Sequence, residues 1–155
     1  MNVTRRSFLK RSGGATVVAL AASAGLTKLE PAYAGWNDAA FKTKTLNDTV
    51  KALGGQAAVE SKDIQISSPD IAENGAVVPI SVTSKMGNTE SIAILVEKNP
   101  NALSANFVIP AGTEAFVSTR VKMGQTSNVT ALVKADGKYY YSTKEIKVTL
   151  GGCGG

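Results

Sequence analysis

Histidine is absent from this chain of 155 residues, and cysteine occurs once, at Cys153. Without imidazole there is no Ser-His or Cys-His nucleophile pair, no His-ligated zinc or iron and no imidazole general base. A lone cysteine forms no internal disulfide, and a C-x-x-C redox site needs two. The carboxylates are scattered, with no metal-ligand spacing among them. Long apolar runs are missing too: the stretch ATVVALAASAGL, residues 15–26, falls short of the roughly 20 residues that cross a bilayer. If the chain takes part in covalent chemistry, the thiol of Cys153 is the evident place for it.

The short apolar run has a different use. It follows TRRSFLK, residues 4–10, with the adjacent pair Arg5 and Arg6, and precedes Pro31-Ala32-Tyr33-Ala34, a small-x-small cleavage site. This is the layout of an export signal, and the paired arginines make it the twin-arginine (Tat) form, which exports folded proteins. The expectation is a signal peptide over residues 1–34, a mature chain beginning at Gly35 and a periplasmic location. Five of the 17 basic residues and one of the 12 acidic residues lie in the leader, which leaves 12 basic and 11 acidic side chains, a net charge of +1. The basic character of the whole chain therefore belongs to its leader, and the mature part has no charge that calls for nucleic acid or an anionic membrane as partner.

The remaining 121 residues, 35–155, are one domain's worth and can bury one core without disulfides. Over residues 37–53, Ala39, Thr43, Leu46, Val50 and Leu53 recur at helical spacing, and Gly54-Gly55 supplies the stop. From Lys62 onward the period is two. Ile64 and Ile66, then Val78, Ile80 and Val82, then Ile92, Ile94 and Val96, mark successive strand faces. Ala115 to Val121, Val129 to Val133 and Ile146 to Leu150 continue the pattern, with Asp136-Gly137 as the clearest hairpin turn. Six or seven short strands behind one short N-terminal helix predict a mainly β fold, an antiparallel immunoglobulin-like β-sandwich over residues 35–150. Tyr139, Tyr140 and Tyr141 read as sheet packing, Met86 and Met123 as core, and Arg120, the one arginine after the leader, as a solvated side chain.

The chain ends GGCGG, so Cys153 is flanked by Gly151, Gly152, Gly154 and Gly155 beyond the last strand pattern. Four residues without Cβ make a thin arm, residues 151–155, that can carry the thiol into a narrow channel. The arm offers no shaped pocket and no enclosing positive charge; Lys144 and Lys147 are the nearest cations along the chain. Composition leaves two readings of the cysteine open: a carrier thiol delivered to another protein's active site, or an interchain disulfide tether on an exported immunoglobulin-like structural module. A sulfurtransferase using the thiol as nucleophile is a third, which the missing pocket and missing histidine oppose.

The terminal GGCGG after KVTL, the TRRSFLK leader and the interior strings IAENGAVVPISV, SIAILVEKNPN and IPAGTEAFVSTRVKMGQTSNV together resemble the SoxY family of sulfur carriers in bacterial thiosulfate oxidation. The resemblance implies a covalent carrier and not an enzyme, with sulfur intermediates held on Cys153 and no other cofactor or metal. It implies a heterodimer with SoxZ and transient docking to the SoxAX c-type cytochrome, the SoxB hydrolase and the SoxCD sulfur dehydrogenase.

Overall fold

The structure is a computed structural model and describes residues 37–149. Two short helices come first, α1 (Asp38–Phe41) and α2 (Leu46–Ala52). Nine strands follow: β1 (Ala58–Glu60), β2 (Ile64–Ser67), β3 (Ile71–Ala72), β4 (Val78–Ser84), β5 (Thr89–Val96), β6 (Leu103–Val108), β7 (Phe116–Val121), β8 (Ser127–Ala135) and β9 (Lys138–Val148).

The single helix expected over residues 37–53 is two, and side-chain hydroxyls cause the break. Thr45 has an extended backbone and caps α2, its Oγ1 accepting from Asp48 N at 3.1 Å. Thr43 Oγ1 donates to Ala40 O at 2.7 Å, at the end of α1. Threonine side chains that bond the backbone compete with helix continuation in this way. The break also re-aims the apolar face: Ala40 is buried where Ala39 was expected, while Val50 stays buried as the spacing predicts. Gly54, at φ +88°, closes α2 as expected, and Gly55 N donates to Val50 O at 2.8 Å.

The strands form the two layers of a sandwich. One sheet has the order β1-β9-β8-β5-β6, with β3 also against β9; the other has the order β2-β4-β7. Alternation along β4 places Val78, Ile80 and Val82 in the space between the sheets, where they meet Ile92, Ile94 and Val96 of β5, Val129, Ala131 and Val133 of β8 and Ile146 of β9. The larger sheet is buried on its other face as well. There Ala93, Leu95, Leu132 and Tyr139 pack under Ala40 and Val50 of the helices. A helix of seven residues does not hold in water by itself, so this burial, roughly 1.5–3 kcal/mol for a side chain such as Val50, keeps α2 in place.

The mainly β sandwich and its helical prelude agree with the sequence. Three strands were not legible there: β1, β3 and β6. Two of these pair in parallel with β9, β1 at Ala58↔Tyr139 and β3 at Ile71↔Lys147, so the larger sheet is not antiparallel throughout. The Asp136-Gly137 turn is the expected two-residue hairpin, with φ of +49° and +72°, the mirror-image turn that suits strand twist. Gly137 N donates to Glu90 Oε1 at 2.7 Å and Asn88 Nδ2 to Asp136 Oδ1 at 2.9 Å, which joins this turn to the β4–β5 turn. Tyr140 packs against the inter-sheet core, while Tyr139 and Tyr141 face the helical layer; Met86 and Met123 also pack against the core.

Tyr139 ties the two layers by a polar bond too. Its hydroxyl donates to Leu53 O at 2.8 Å, past the end of α2, and burial raises its pKa above the ordinary 10.0. Tyr139→Phe keeps the ring and leaves the Leu53 carbonyl without this partner. Its expected cost is about 1 kcal/mol, read as a lower midpoint in thermal unfolding with β-sheet circular dichroism unchanged.

Candidate functional site

The residues singled out by the sequence, Cys153 with Gly151, Gly152, Gly154 and Gly155, lie outside the described residues, as do Arg5 and Arg6. The structure describes the platform from which the carboxy-terminal segment departs. Sequence periodicity ran the last strand to Leu150; the observed strand β9 ends at Val148.

Three groups of contacts hold that end. Toward the interior, Ile146 is fully buried between the sheets. Along one edge lies β3: Lys147 N donates to Asp70 O at 2.9 Å, and Thr149 N donates to Ala72 O at 3.1 Å. On the other edge Val148 N donates to Thr126 Oγ1 at 3.0 Å. The segment 68–75 is thus a strap across the end of β9.

Glycine is required where the strap turns. A Cβ on Gly75 would stand 2.3 Å from the Met123 carbonyl oxygen and 2.8 Å from Val148 Cγ1. The close approach is used, since Met123 N donates to Gly75 O at 2.7 Å. Lys144 clamps the other side of the strap, donating to Ser68 O at 2.8 Å and pairing with Asp70 Oδ1 at 2.9 Å. The hydrogen bond from Lys144, and then its charge, hold the Asp70 carboxyl below the ordinary 3.8. Of the two lysines that precede the tail, Lys144 is therefore engaged, and Lys147 is exposed.

Two grooves lie away from this end. One of about 610 Å³ runs between the β4–β5 turn and residues 108–115, lined by Ser84, Glu90, Val108 and Thr113 among others. A second, of about 420 Å³, lies on the helical face between Lys44, Leu95, Asn128 and Thr143. Neither includes a residue from 144–149. Among the described residues no group of three or more potential metal ligands occurs, and Arg120 is exposed on β7 without an ion-pair partner there. The strap was missed in the sequence: Pro69-Asp70 and Glu73-Asn74-Gly75 read as turns, and the chain bends at Asp70 and turns at Gly75, but nothing local reveals which strand they press against.

A model of the family "Sulfur oxidation protein SoxY" matches residues 50–153, from within α2 through the cysteine. The chain belongs to the SoxY family. Among solved structures, the sulfur carrier protein SoxY from Chlorobium limicola f. thiosulfatophilum is 37% identical, with a TM-score of 0.62 over 68% of this chain and 96% of that one. A variant of the superoxide reductase (neelaredoxin) of Ignicoccus hospitalis shares the fold alone, at 18% identity and a TM-score of 0.50, over 58% of this chain and 82% of that one. A comparison with curated proteins returned no match. Membership of the SoxY family supports a sulfur-carrier role in the Sox pathway, working with other Sox proteins.

Two outcomes test the platform. Gly75→Ala forces its methyl into the Met123 carbonyl, so it should destabilise the domain by about 1–3 kcal/mol, read from chemical denaturation. It should also speed amide exchange at Lys147 and Thr149. Asp70 works through a depressed carboxyl pKa, so its contribution is present above the ordinary 3.8 and is lost as pH falls through the lower folded value. Asp70→Asn should flatten the acid limb of the stability profile below about pH 4 and leave the profile near neutrality parallel to that of the unaltered chain.

Proposed function

We propose that this chain is a periplasmic sulfur carrier, exported in folded form by its twin-arginine leader, which holds sulfur intermediates covalently on Cys153 and presents them to Sox enzymes. The observation that carries the proposal is the reach of the family match to Cys153 together with the place where β9 is last held. The match runs to residue 153, and the last described backbone anchor is Thr149 N on Ala72 O. Four residues of extended chain span at most about 14 Å, which is an upper bound on the reach from this anchor to Cys153.

The chemistry is the partners' to perform. A c-type cytochrome of the SoxAX kind takes two electrons as the Cys153 sulfur joins the outer sulfur of thiosulfate, and the thiol proton is released. The product is a cysteine S-thiosulfonate. A SoxB hydrolase adds water to the terminal sulfonate sulfur, which leaves as sulfate, and the sulfur–sulfur electron pair stays on the arm as a persulfide. That sulfane sulfur is either oxidised by a SoxCD dehydrogenase, which takes up six electrons as three waters supply the oxygens of a cysteine S-sulfonate that a second hydrolysis cleaves to sulfate, or passed to a sulfur store. Either course returns the thiol. The chain supplies a thiol that takes and releases sulfur reversibly and a stem of four glycines that does not crowd it. A heterodimer with a second β-sandwich protein, SoxZ, completes the proposed assembly.

Intact mass spectrometry tests this directly. The exported chain, isolated without reductant from cells grown on thiosulfate, should carry reducible additions of sulfur, sulfonate or thiosulfonate mass that disappear in Cys153→Ser. A thiol found only free, or only in a stable interchain disulfide whatever sulfur source is given, would reject the carrier and leave the tether.

A further inference from the structure

Strand β9 outlasts the ladder that holds most of it. Its pairing with β8 stops at Ser127↔Ile146, and Ile146 is fully buried. The strand nevertheless continues to Val148, and two other edges keep it straight. On one side Lys147 N and Thr149 N donate to Asp70 O and Ala72 O of the strap. On the other side the chain bends at Thr126, just before β8 begins, and the ladder has no further rung. The Thr126 hydroxyl stands in for one, accepting from Val148 N at 3.0 Å. The three donors therefore alternate between the two sides, as the backbone groups of a strand do.

Neither edge depends on the tail for its own position. Lys144, upstream of Ile146, fixes the strap through Ser68 O and Asp70 Oδ1, and Gly75 lies against the Met123 carbonyl. Thr126 is half-buried and joined to Ser127, the buried first residue of β8. A valine at 126 would fill nearly the same space and offer Val148 no acceptor, so it is the hydroxyl that the position uses.

Residues 147–149, held in this way, advance the chain by about 10 Å along the axis of β9. Four residues then separate Thr149 from Cys153, against seven from Ile146. A glycine-rich chain of seven residues has an r.m.s. span of about 13–16 Å in no set direction. We infer that Thr126, together with the strap, is a positioning residue for Cys153: it projects the start of the carboxy-terminal segment beyond the last core anchor and aims the thiol outward along β9. The inference rests on the carrier reading of Cys153. The effective concentration of a tethered group falls roughly as the −3/2 power of tether length, so the shorter tether favours delivery to another protein's recessed site by about two- to threefold.

Pulsed electron resonance between nitroxide labels on Cys153 and on Lys138→Cys, at the exposed start of β9, reads the projection. Thr126→Val removes the hydroxyl on one side and Lys144→Met the clamp on the other. In the chain carrying both, the mean distance should fall by up to about 10 Å and its distribution widen, with β-sheet circular dichroism unchanged. Thr126→Val alone should move the distance the same way by less, and it carries the test if the double variant does not fold. Thr126→Ser keeps the hydroxyl and should keep the parent distance. In unlabelled chain, tetrathionate loads the thiol: the thiolate sulfur displaces thiosulfate and leaves a cysteine S-thiosulfonate. Sulfate release from that adduct by a purified SoxB hydrolase should show a KM raised about two- to threefold in the double variant with kcat unchanged. The rate of loading by tetrathionate, which needs no projection, should stay that of the parent. Distances and KM that match the parent in both Thr126→Val and the double variant overturn the inference alone. A parent chain whose loaded thiol yields no sulfate overturns the carrier reading and the role given to Thr126 with it, and the label distances tell the two failures apart.

Discussion

The fold depends on β9 having neighbours on both of its edges. On one edge β8 pairs with it from Ser127↔Ile146 to Ala135↔Lys138, nearly its full length. On the other, β1 meets its beginning and β3 its end, both in parallel. A strand so enclosed is an interior strand along its ends, and its side chains are shared between two apolar layers: Tyr140 and Ile146 toward the second sheet, Tyr139 and Tyr141 toward the helices. The helices, the strap and the β8–β9 hairpin all attach to this one strand.

That arrangement bears on the covalent role proposed for a protein without histidine and with one thiol. An enzyme places its reactive group among groups that orient and activate it. Here two grooves lie away from the end of β9, and of the two lysines that precede the tail Lys144 is taken up by Asp70 and Ser68. Membership of the SoxY family accords with the proposed division of labour, in which the domain would supply a firm base and other proteins the reacting environment.

What could be read in the sequence was what local chemistry dictates. Strands with alternating branched residues, such as Val78, Ile80 and Val82, declared themselves because one face is buried and the other is not. Asp136-Gly137 declared itself because few residue pairs accept two positive φ angles. Composition singled out Cys153 as the one thiol, and that residue lies outside the described residues. The rest rests on distant partners. β1 and β3 are too short to show a period and exist because β9 offers an edge. β6 does alternate Leu103, Ala105 and Phe107 with Ser104 and Asn106, but over six residues with the small Ala105 in the middle the signal is weak. The clamp of Lys144 on Ser68 joins residues 76 apart, and no window of sequence contains both. The break between α1 and α2 hid beneath an apolar spacing that continues across it, while the Thr43 and Thr45 hydroxyls decide the backbone.

The parallel strap has a mechanical side. Force on the carboxy-terminal segment enters the domain at Thr149 and runs along the axis of β9. The bonds to β8 lie across that axis, so a pull loads many of them together in shear and does not peel them one at a time from the end. The bonds from Lys147 N to Asp70 O and from Thr149 N to Ala72 O share that load on the opposite edge. If another protein grips the carboxy-terminal segment, as the proposed carrier role requires, the segment can therefore be tugged repeatedly without unzipping the sheet that anchors it.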